Sequence, residues 1–164
     1  DLAAAKKAGK RLIVMMHRPP WDSPYHGVLD SNGKCFMPIF DKYDVPLVFT
    51  AHDHCYERTV PVKNDTQAET GTIYIATGRS GTESWDAARR KPTDVVYYNP
   101  MDMPMYLTLQ VEPKDFRVTA FKNDGTIIDT TTIATDTVPS KQQKEKQQPK
   151  AIKKVKKSAR TAKK

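Results

Sequence analysis

The chain has 164 residues and a formal net charge of +8, a length that fits one domain with a buried core. The charge is uneven, because residues 141–164 hold eleven Lys or Arg and one acid, which leaves residues 1–140 with 16 basic and 18 acidic residues and a net charge of −2. No run approaches the roughly 18 apolar residues of a membrane-spanning helix, and two cysteines, Cys35 and Cys55, are too few for a disulfide framework.

The first predicted elements are a helix, a strand and a long loop. Residues 2–8 are rich in alanine and favour a helix, and Gly9 is placed to end it. The sequence opens inside this helix without a methionine or a visible signal peptide, so we expect an N-terminal portion to precede it. Residues 11–17 form a short apolar run typical of a buried strand, and residues 18–34 are rich in loop-forming Pro, Gly, Asp, Ser and Asn.

A second strand follows a helix, and together they predict a crossover unit. Apolar residues at helical spacing over 36–43 predict the helix, and residues 45–51 predict another buried strand. Strand, helix and strand in this order indicate a parallel pair in a covered sheet. Since His17 and His52 end the two apolar runs, and ligands bind outside the carboxyl ends of such strands, both histidines are predicted at one edge.

The rest of the chain changes character after residue 60. Residues 71–78, 105–112, 115–122 and 125–133 are short, alternating and β-branched, with a turn at residues 123–125, and predict a system of antiparallel hairpins. From Val138 onward Lys, Gln and Ala dominate, which predicts disorder. The predicted organisation is therefore a folded portion over 1–136 and a Lys-rich tail over 137–164.

All four histidines of the chain fall within the crossover unit. His52 and His54 are two residues apart, so an extended backbone directs both imidazoles to one side. A lone His-x-His pair is more typical of surface or hydrogen-bonded residues. Here His17 ends the neighbouring strand and His26 lies in the intervening loop. Because imidazole is the commonest metal-ligand side chain, this convergence favours a metal site.

Three stretches carry a resemblance to a known family: "VMMHRPPW", "YDVPLVFTAHDHCYERT" and "GTIYIATGRSG". They resemble the C-terminal half of the catalytic domain of the calcineurin-like metallophosphoesterases, with the purple acid phosphatase-like branch fitting best. The resemblance covers about residues 1–135. It implies an α/β fold, the C-terminal half of a β-sandwich flanked by helices. One departure is Ala51, where the family has glycine, which questions the tightness of the turn there.

The resemblance also implies a dinuclear metal site. In it His17 and His52 would bind one ion and His54 the other, with iron plus zinc or manganese, or two like ions, as the metals. His26 would contact the substrate phosphate and help to protonate the leaving group. In such sites two ions about 3.5–4 Å apart activate water and clamp the phosphoryl oxygens.

The family's first-half motifs, which supply Asp, Asn and further His ligands, are absent from the sequence. Three imidazoles cannot replace hard oxygen ligands, so we expect the chain to be the C-terminal portion of an enzyme and inactive by itself. The family resemblance also implies a secreted or otherwise extracytoplasmic protein.

The residues around the histidines have less specific interpretations. Glu57 and Arg58 are predicted to orient a ligand imidazole, with a mutual ion pair that fixes the loop as the alternative. Asp53 is predicted to point away from the metals into solvent. Cys55 is predicted to be a buried apolar residue, and whether it bonds with Cys35 stays open.

Three further residues are candidates for contact with substrate. Arg79 could bind the substrate phosphate, although a loop arginine without a ligand is at least as good an interpretation. Tyr25 and Trp21 could wall the substrate cleft, or pack the loop onto the body of the domain.

Two classes of function remain after these observations. The first is a phosphoesterase whose substrate could be a monoester, a diester, a nucleotide or phytate. The second is a non-catalytic binding protein of the same fold that holds an anionic surface through its basic tail. The tail contains Lys clusters without aromatic residues, so any binding to anionic polymers would be non-specific and salt-sensitive, and a solvated tail without a partner is the alternative.

Residues 141–164 are expected to lack fixed structure, because their composition cannot bury enough apolar surface to offset the conformational entropy lost on ordering. Amide hydrogen exchange should therefore be fast throughout the segment. Slow exchange around Ile152 and Val155, the residues best suited to pack a helix, would contradict this expectation.

Overall fold

The computed structural model describes residues 1–21, 31–83 and 93–135. These ranges contain two helices and ten strands, with the following bounds: α1 (Leu2–Lys7), β1 (Ile13–Met15), α2 (Ser31–Tyr43), β2 (Leu47–Thr50), β3 (Tyr56–Thr59), β4 (Val62–Lys63), β5 (Thr66–Gln67), β6 (Ile73–Thr77), β7 (Asp94–Tyr98), β8 (Met105–Val111), β9 (Asp115–Lys122) and β10 (Ile127–Ala134). The basic tail lies outside the described residues, so its predicted disorder and the domain boundary at residue 136 stay predictions.

A five-stranded sheet has the strand order β1-β2-β6-β3-β7. The pairs β1–β2 and β2–β6 are parallel, and β3 is antiparallel to both β6 and β7. The predicted crossover is confirmed, because α2 joins β1 to β2 and Val14 lies opposite Val48. The mixed α/β class predicted from the sequence is thus correct.

The second sheet contains three antiparallel strands in the order β10-β9-β8. Its turn lies where the sequence predicts one, with the Lys122 amide donating to the Thr126 carbonyl at 2.8 Å. The prediction that β6 belongs to this antiparallel system is wrong, because β6 lies between β2 and β3 in the other sheet. Tyr74, Ile75 and Ala76 are all buried, as is typical of a central strand covered on both faces.

Four strands were not predicted: β3, the short pair β4–β5, and β7. Strand β7 has a composition, Asp-Val-Val-Tyr-Tyr, whose β-branched and aromatic residues could have indicated it. Strand β3 gives no such signal, because Glu57 and Arg58 interrupt any apolar alternation.

The core has two parts, one on each face of the five-stranded sheet. Leu47, Phe49 and Ile75 face the three-stranded sheet and pack in one cluster with Phe116 and Val118. The alternate residues face α2 in a second cluster, which includes Val48, Tyr74, Met37 and Phe40. The molecule is therefore layered as helix, sheet and sheet, with side chains alternating between the two clusters along each central strand.

Both helices end through a residue with positive φ. Gly9 ends α1 with φ 67°, as the sequence predicts. Asp44 ends α2 with φ 49°, and the amides of Val45 and Asp44 donate to the carbonyls of Phe40 and Asp41. This pair of bonds is the Schellman arrangement, which reverses the chain direction sharply. The end of α2 therefore directs the chain into β2, which leads to His52 and His54.

One side-chain cluster ties the two sheets together, and we call it the Asp129 clamp: Tyr56 and Arg58 of β3 with Asp129 of β10. Arg58 donates to both carboxylate oxygens of Asp129, from Nε at 2.6 Å and from Nη2 at 3.1 Å. The Tyr56 hydroxyl donates to the same carboxylate at 2.7 Å. The side chains of Arg58 and Asp129 are only 13% and 8% exposed, so this charge pair is largely shielded from water.

The pKa values in the clamp follow from burial and from these bonds. Burial raises the pKa of Tyr56 well above its ordinary value, and the bond to the Asp129 carboxylate raises it further. Burial alone would raise the pKa of Asp129 as well. The hydrogen bonds from Arg58 and Tyr56 outweigh burial and lower the pKa of Asp129 below its ordinary value. At neutral pH the clamp therefore consists of a carboxylate, a guanidinium and a neutral phenol.

We predict that Asp129→Asn lowers the free energy of unfolding by about 3 kcal/mol at pH 7, because it leaves the Arg58 cation largely buried without its counter-ion. Since the folded pKa of Asp129 is lowered, its stabilisation is complete above the unfolded pKa of about 3.9 and is lost as the pH falls through the folded pKa. Urea unfolding at a series of pH values should therefore show that the free energy of unfolding falls less steeply with decreasing pH in the variant than in the parent.

A matched control for this charge removal is Glu112→Gln, which neutralises an exposed carboxylate. It should change the unfolding free energy by less than about 0.5 kcal/mol. An equal fall of the unfolding free energy with decreasing pH in the parent and in Asp129→Asn would contradict the lowered pKa of Asp129.

Candidate functional site

Three of the four histidines line one cavity. His17 follows β1, and His52 and His54 follow β2, so the parallel pairing brings all three to the carboxyl edge of these strands. The cavity measures about 520 Å³, and residues 77–83 after β6 form its other wall. His26 and Tyr25 lie outside the described residues. The structure thus brings three predicted metal ligands together, while their role as ligands stays a prediction.

His17 and His52 are in direct contact. Their ring centroids are 5.2 Å apart, with an angle of 73° between the ring planes. The backbone supports this contact, because the Ala51 amide donates to the His17 carbonyl at 2.9 Å and continues the β1–β2 pairing past the strand ends. The register of the two strands therefore sets the distance between the two imidazoles.

The backbone at His52 and His54 is strained. His52 has φ 72°, and the Asp53 amide donates to the Ala51 carbonyl at 2.9 Å, which closes a three-residue γ-turn centred on His52. His54 also has positive φ, at 57°. Such conformations cost about 1–3 kcal/mol each and persist only where the surroundings hold them. Positive φ begins at His52, so the alanine at position 51 fits this turn without requiring glycine.

A hydrogen bond sets the tautomer of His54. Its Nδ1 lies 3.1 Å from the Glu83 carbonyl oxygen. A carbonyl can only accept, so Nδ1 carries the proton, and Nε2 is the nitrogen with the lone pair that can bind a metal. Metal-ligating histidines commonly donate their second ring N–H to a carbonyl in this way.

Within the described residues, no three or more His, Cys, Asp or Glu side chains are arranged so that they could hold a metal ion by themselves. The cavity instead brings three imidazoles together. Among its described lining residues the one carboxylate is that of Glu83, which is exposed. The expectation that further ligands come from another portion of the protein stays a prediction.

Arg79 acts on the backbone around the cavity. Its guanidinium donates to the carbonyls of Pro100 and Gly81, each at 2.6 Å, and also to the carbonyl of Asp102. These bonds fasten the 77–83 wall to the loop that follows β7. The interpretation of Arg79 as a loop arginine therefore has direct support, and its predicted contact with substrate phosphate stays a prediction.

The other predicted neighbours do not line the histidine cavity, and the predicted role of Glu57 and Arg58 in orienting a ligand imidazole stays a prediction. Neither Glu57 nor Arg58 is among its described lining residues. Arg58 faces Asp129 in the second sheet, and Glu57, 3% exposed, lines a small separate cavity beneath Trp21. The prediction that Asp53 points into solvent is wrong, because Asp53 is fully buried. A residue between two cavity-lining histidines can be buried in the protein interior, and the His-x-His spacing alone does not reveal this.

Trp21 packs into the core, and the cysteines do not bond. Trp21 is buried in the cluster next to α2, and its Nε1 donates to the Thr93 hydroxyl at 3.1 Å, in agreement with the packing alternative. Cys55 is fully buried, as expected, and Cys35 is exposed, and the two do not form a disulfide. No helix in residues 1–21, 31–83 or 93–135 is long and apolar enough to cross a membrane.

Comparisons with known proteins agree with this fold. No protein-family model matches the chain. Over 134 residues the chain is 25% identical to purple acid phosphatase 3 of Arabidopsis thaliana. A solved purple acid phosphatase, PPD1 from yellow lupin (Lupinus luteus) seeds, superposes with a TM-score of 0.64 and 21% identity over 81% of this chain. The chain is purple acid phosphatase-like in sequence and fold.

A second solved structure with the same fold has a different described role. It is GAP50, "the anchor in the inner membrane complex of Plasmodium", which superposes with a TM-score of 0.62 and 18% identity over 82% of this chain. The purple acid phosphatase-like chain spans only part of these proteins: 33% of the Arabidopsis relative, 26% of the lupin chain and 39% of GAP50. The predicted resemblance is thus confirmed, and it covers one portion of each of these longer proteins.

We predict that Gly78→Ala destabilises the cavity wall. Gly78 has φ 73°, and an added Cβ would lie 2.3 Å from Sδ of the buried Met105. Left-handed strain and overpacking together should lower the free energy of unfolding by about 2–4 kcal/mol, measured by urea unfolding. Gly81→Ala in the same wall is the control, because its Cβ would meet nothing within 4 Å. Equal stability of the two variants would contradict the prediction.

Proposed function

We propose that the protein hydrolyses phosphate esters at a dinuclear metal centre to which this chain contributes His17, His52 and His54. The observation that carries the proposal is the position of the three histidines on one cavity, at the carboxyl edge of parallel strands, in a purple acid phosphatase-like fold. Oxygen ligands from a preceding portion of the protein would complete the centre, because the chain corresponds to 33% of its Arabidopsis relative.

The spacing of the imidazoles supports metal binding. A zinc ion lies about 2.0–2.1 Å from an imidazole nitrogen, so two imidazoles on one tetrahedral ion place their ring centroids roughly 5 Å apart. The separation of 5.2 Å between His17 and His52 fits this value. The Nδ1 proton on His54, held by the Glu83 carbonyl, leaves Nε2 to serve as the ligand for the other ion.

Each group would have a distinct part in hydrolysis. Two bound ions, iron with zinc or manganese or two like ions, would supply the positive charge that neutralises the ester and the Lewis acidity that activates water. His17, His52 and His54 hold and orient them. His26 contacts the phosphate and gives a proton to the leaving-group oxygen, a role suited to imidazole near neutral pH. Tyr25 and Arg79 are proposed at the rim, where the ester enters.

The location and partners of the protein belong to the same proposal. A secreted or otherwise extracytoplasmic enzyme would meet small phosphate esters outside the cell. The basic tail, with its eleven Lys or Arg in residues 141–164, would bind anionic polymers weakly and without sequence preference.

A second candidate function is a non-catalytic binding protein of the same fold. The observation that favours it is the likeness to GAP50, which is described as an anchor and superposes about as well as the phosphatase does. In this case the basic tail would hold an anionic surface, and the histidines would bind no catalytic metal. Metal analysis separates the two candidates, since only the first requires stoichiometric metal.

We predict that His52→Ala in the full-length protein abolishes phosphate-ester hydrolysis without unfolding the domain. The reason is that the loss of one of few ligands lowers metal occupancy. Metal content by mass spectrometry, with kinetics on a chromogenic phosphomonoester and a diester, measures both effects. Full metal content with full activity in this variant would rule out the proposed centre.

His26→Ala should act differently and serves as the comparison. Metal content should stay unchanged while kcat falls about 10²–10⁴-fold, the usual scale of general acid–base catalysis. Unchanged kcat in this variant would remove only the acid role of His26. If the four histidines have no shared function, neither variant should lose activity.

A further inference from the structure

The strained histidine turn is followed directly by the strand that carries the Asp129 clamp. Strand β3 begins at Tyr56, two residues after His54. Its first and third residues, Tyr56 and Arg58, both donate to the single carboxylate of Asp129 in the opposite sheet. Asp129, 75 positions after His54 in the sequence, therefore anchors β3, the strand that follows the histidine turn.

The turn requires support on both sides. Before it, β2 and the bond from the Ala51 amide to the His17 carbonyl hold the chain. At its centre, His52 and His54 both have positive φ, a conformation that non-glycine residues leave unless the surroundings hold it. After it, the fully buried Cys55 leads straight into β3. The position of β3 therefore limits how far the turn can relax.

The sheet hydrogen bonds and the clamp restrain β3 in different directions. Tyr56 pairs with Thr77 of β6 and with Tyr98 of β7, which holds β3 within its own sheet. The clamp joins β3 to β10 and so restrains its displacement perpendicular to that sheet. Both oxygens of the Asp129 carboxylate are used, in a bidentate arrangement that an amide cannot reproduce because its NH2 would face the Arg58 donors.

We propose that Asp129 is a positioning residue, which holds the His52–His54 turn in its strained conformation by anchoring Tyr56 and Arg58 at the start of β3. The expected loss of metal affinity rests on the proposed function, whereas the expected loosening of the turn does not. Outer residues that orient metal ligands typically affect metal affinity by about 10–100-fold.

The experiment compares Asp129→Asn with Ile133→Ala in the full-length protein. Ile133 lies in the same strand and is 4% exposed, so its truncation weakens the core and removes none of the clamp hydrogen bonds. Each variant is measured at its own urea concentration, chosen so that the two variants have the same free energy of unfolding. The first readout is amide exchange at Asp53, whose N–H closes the γ-turn. The second is the affinity for Zn²⁺ alone, measured by titration of the metal-free protein.

Asp129→Asn should accelerate exchange at Asp53 at least about 10-fold more than Ile133→Ala does, and should weaken Zn²⁺ binding about 10–100-fold. Equal exchange and equal affinity in the two variants would overturn the proposal, because Asp129 would then act only through global stability. Loss of Zn²⁺ affinity without faster exchange at Asp53 would overturn it as well.

A second variant keeps the test decisive if Asp129→Asn fails to fold. Tyr56→Phe removes one bond to Asp129 and keeps the buried ring, so it should give a smaller change in the same direction. Unchanged exchange at Asp53 in Tyr56→Phe would then count against the proposal. If the parent protein binds none of Zn²⁺, Mn²⁺ and iron, the proposed function fails, while the exchange readout still decides the role of Asp129.

Discussion

The parallel pairing of β1 with β2 is the constraint on which the candidate site depends. Helix α2 returns the chain so that Val14 lies opposite Val48, and both strands then end at the same edge. Any other register would move His17 away from His52, because each residue of slip shifts a strand end by about 3.3 Å and reverses the faces. The contact between the two imidazoles is therefore a consequence of main-chain pairing, which the buried core on both sheet faces makes specific.

The local strain at the histidines is understandable only within this rigid frame. His52 and His54 have backbone conformations that a free peptide would not hold, yet they lie between a strand buried at every position and a strand clamped to the second sheet. Strain of about 1–3 kcal/mol per residue is small compared with the burial energy of two packed clusters. The fold thus supplies a preformed arrangement of imidazoles, and ligand binding need not order the turn.

The described lining of the histidine cavity contains more imidazoles than carboxylates. His17, His52 and His54 supply three imidazoles there, and Glu83, which is exposed, supplies the one carboxylate among the described lining residues. A solved purple acid phosphatase and GAP50 share this fold, and one fold can carry different functions. The fold by itself therefore does not decide the function, which has to be argued from the residues of the site.

The sequence by itself determined the crossover unit, the convergence of His17 with His52 and His54, the β9 strand at its true bounds, and the resemblance to purple acid phosphatases. These features depend on local periodicity and on short motifs, which neighbouring residues specify. Only the tertiary structure decided that β6 joins the first sheet, that Asp53 is buried, and that Arg58 pairs with Asp129, 71 residues away. The physical reason is that each of these depends on which distant surface covers a residue, and alternation along a strand carries no information about its partner.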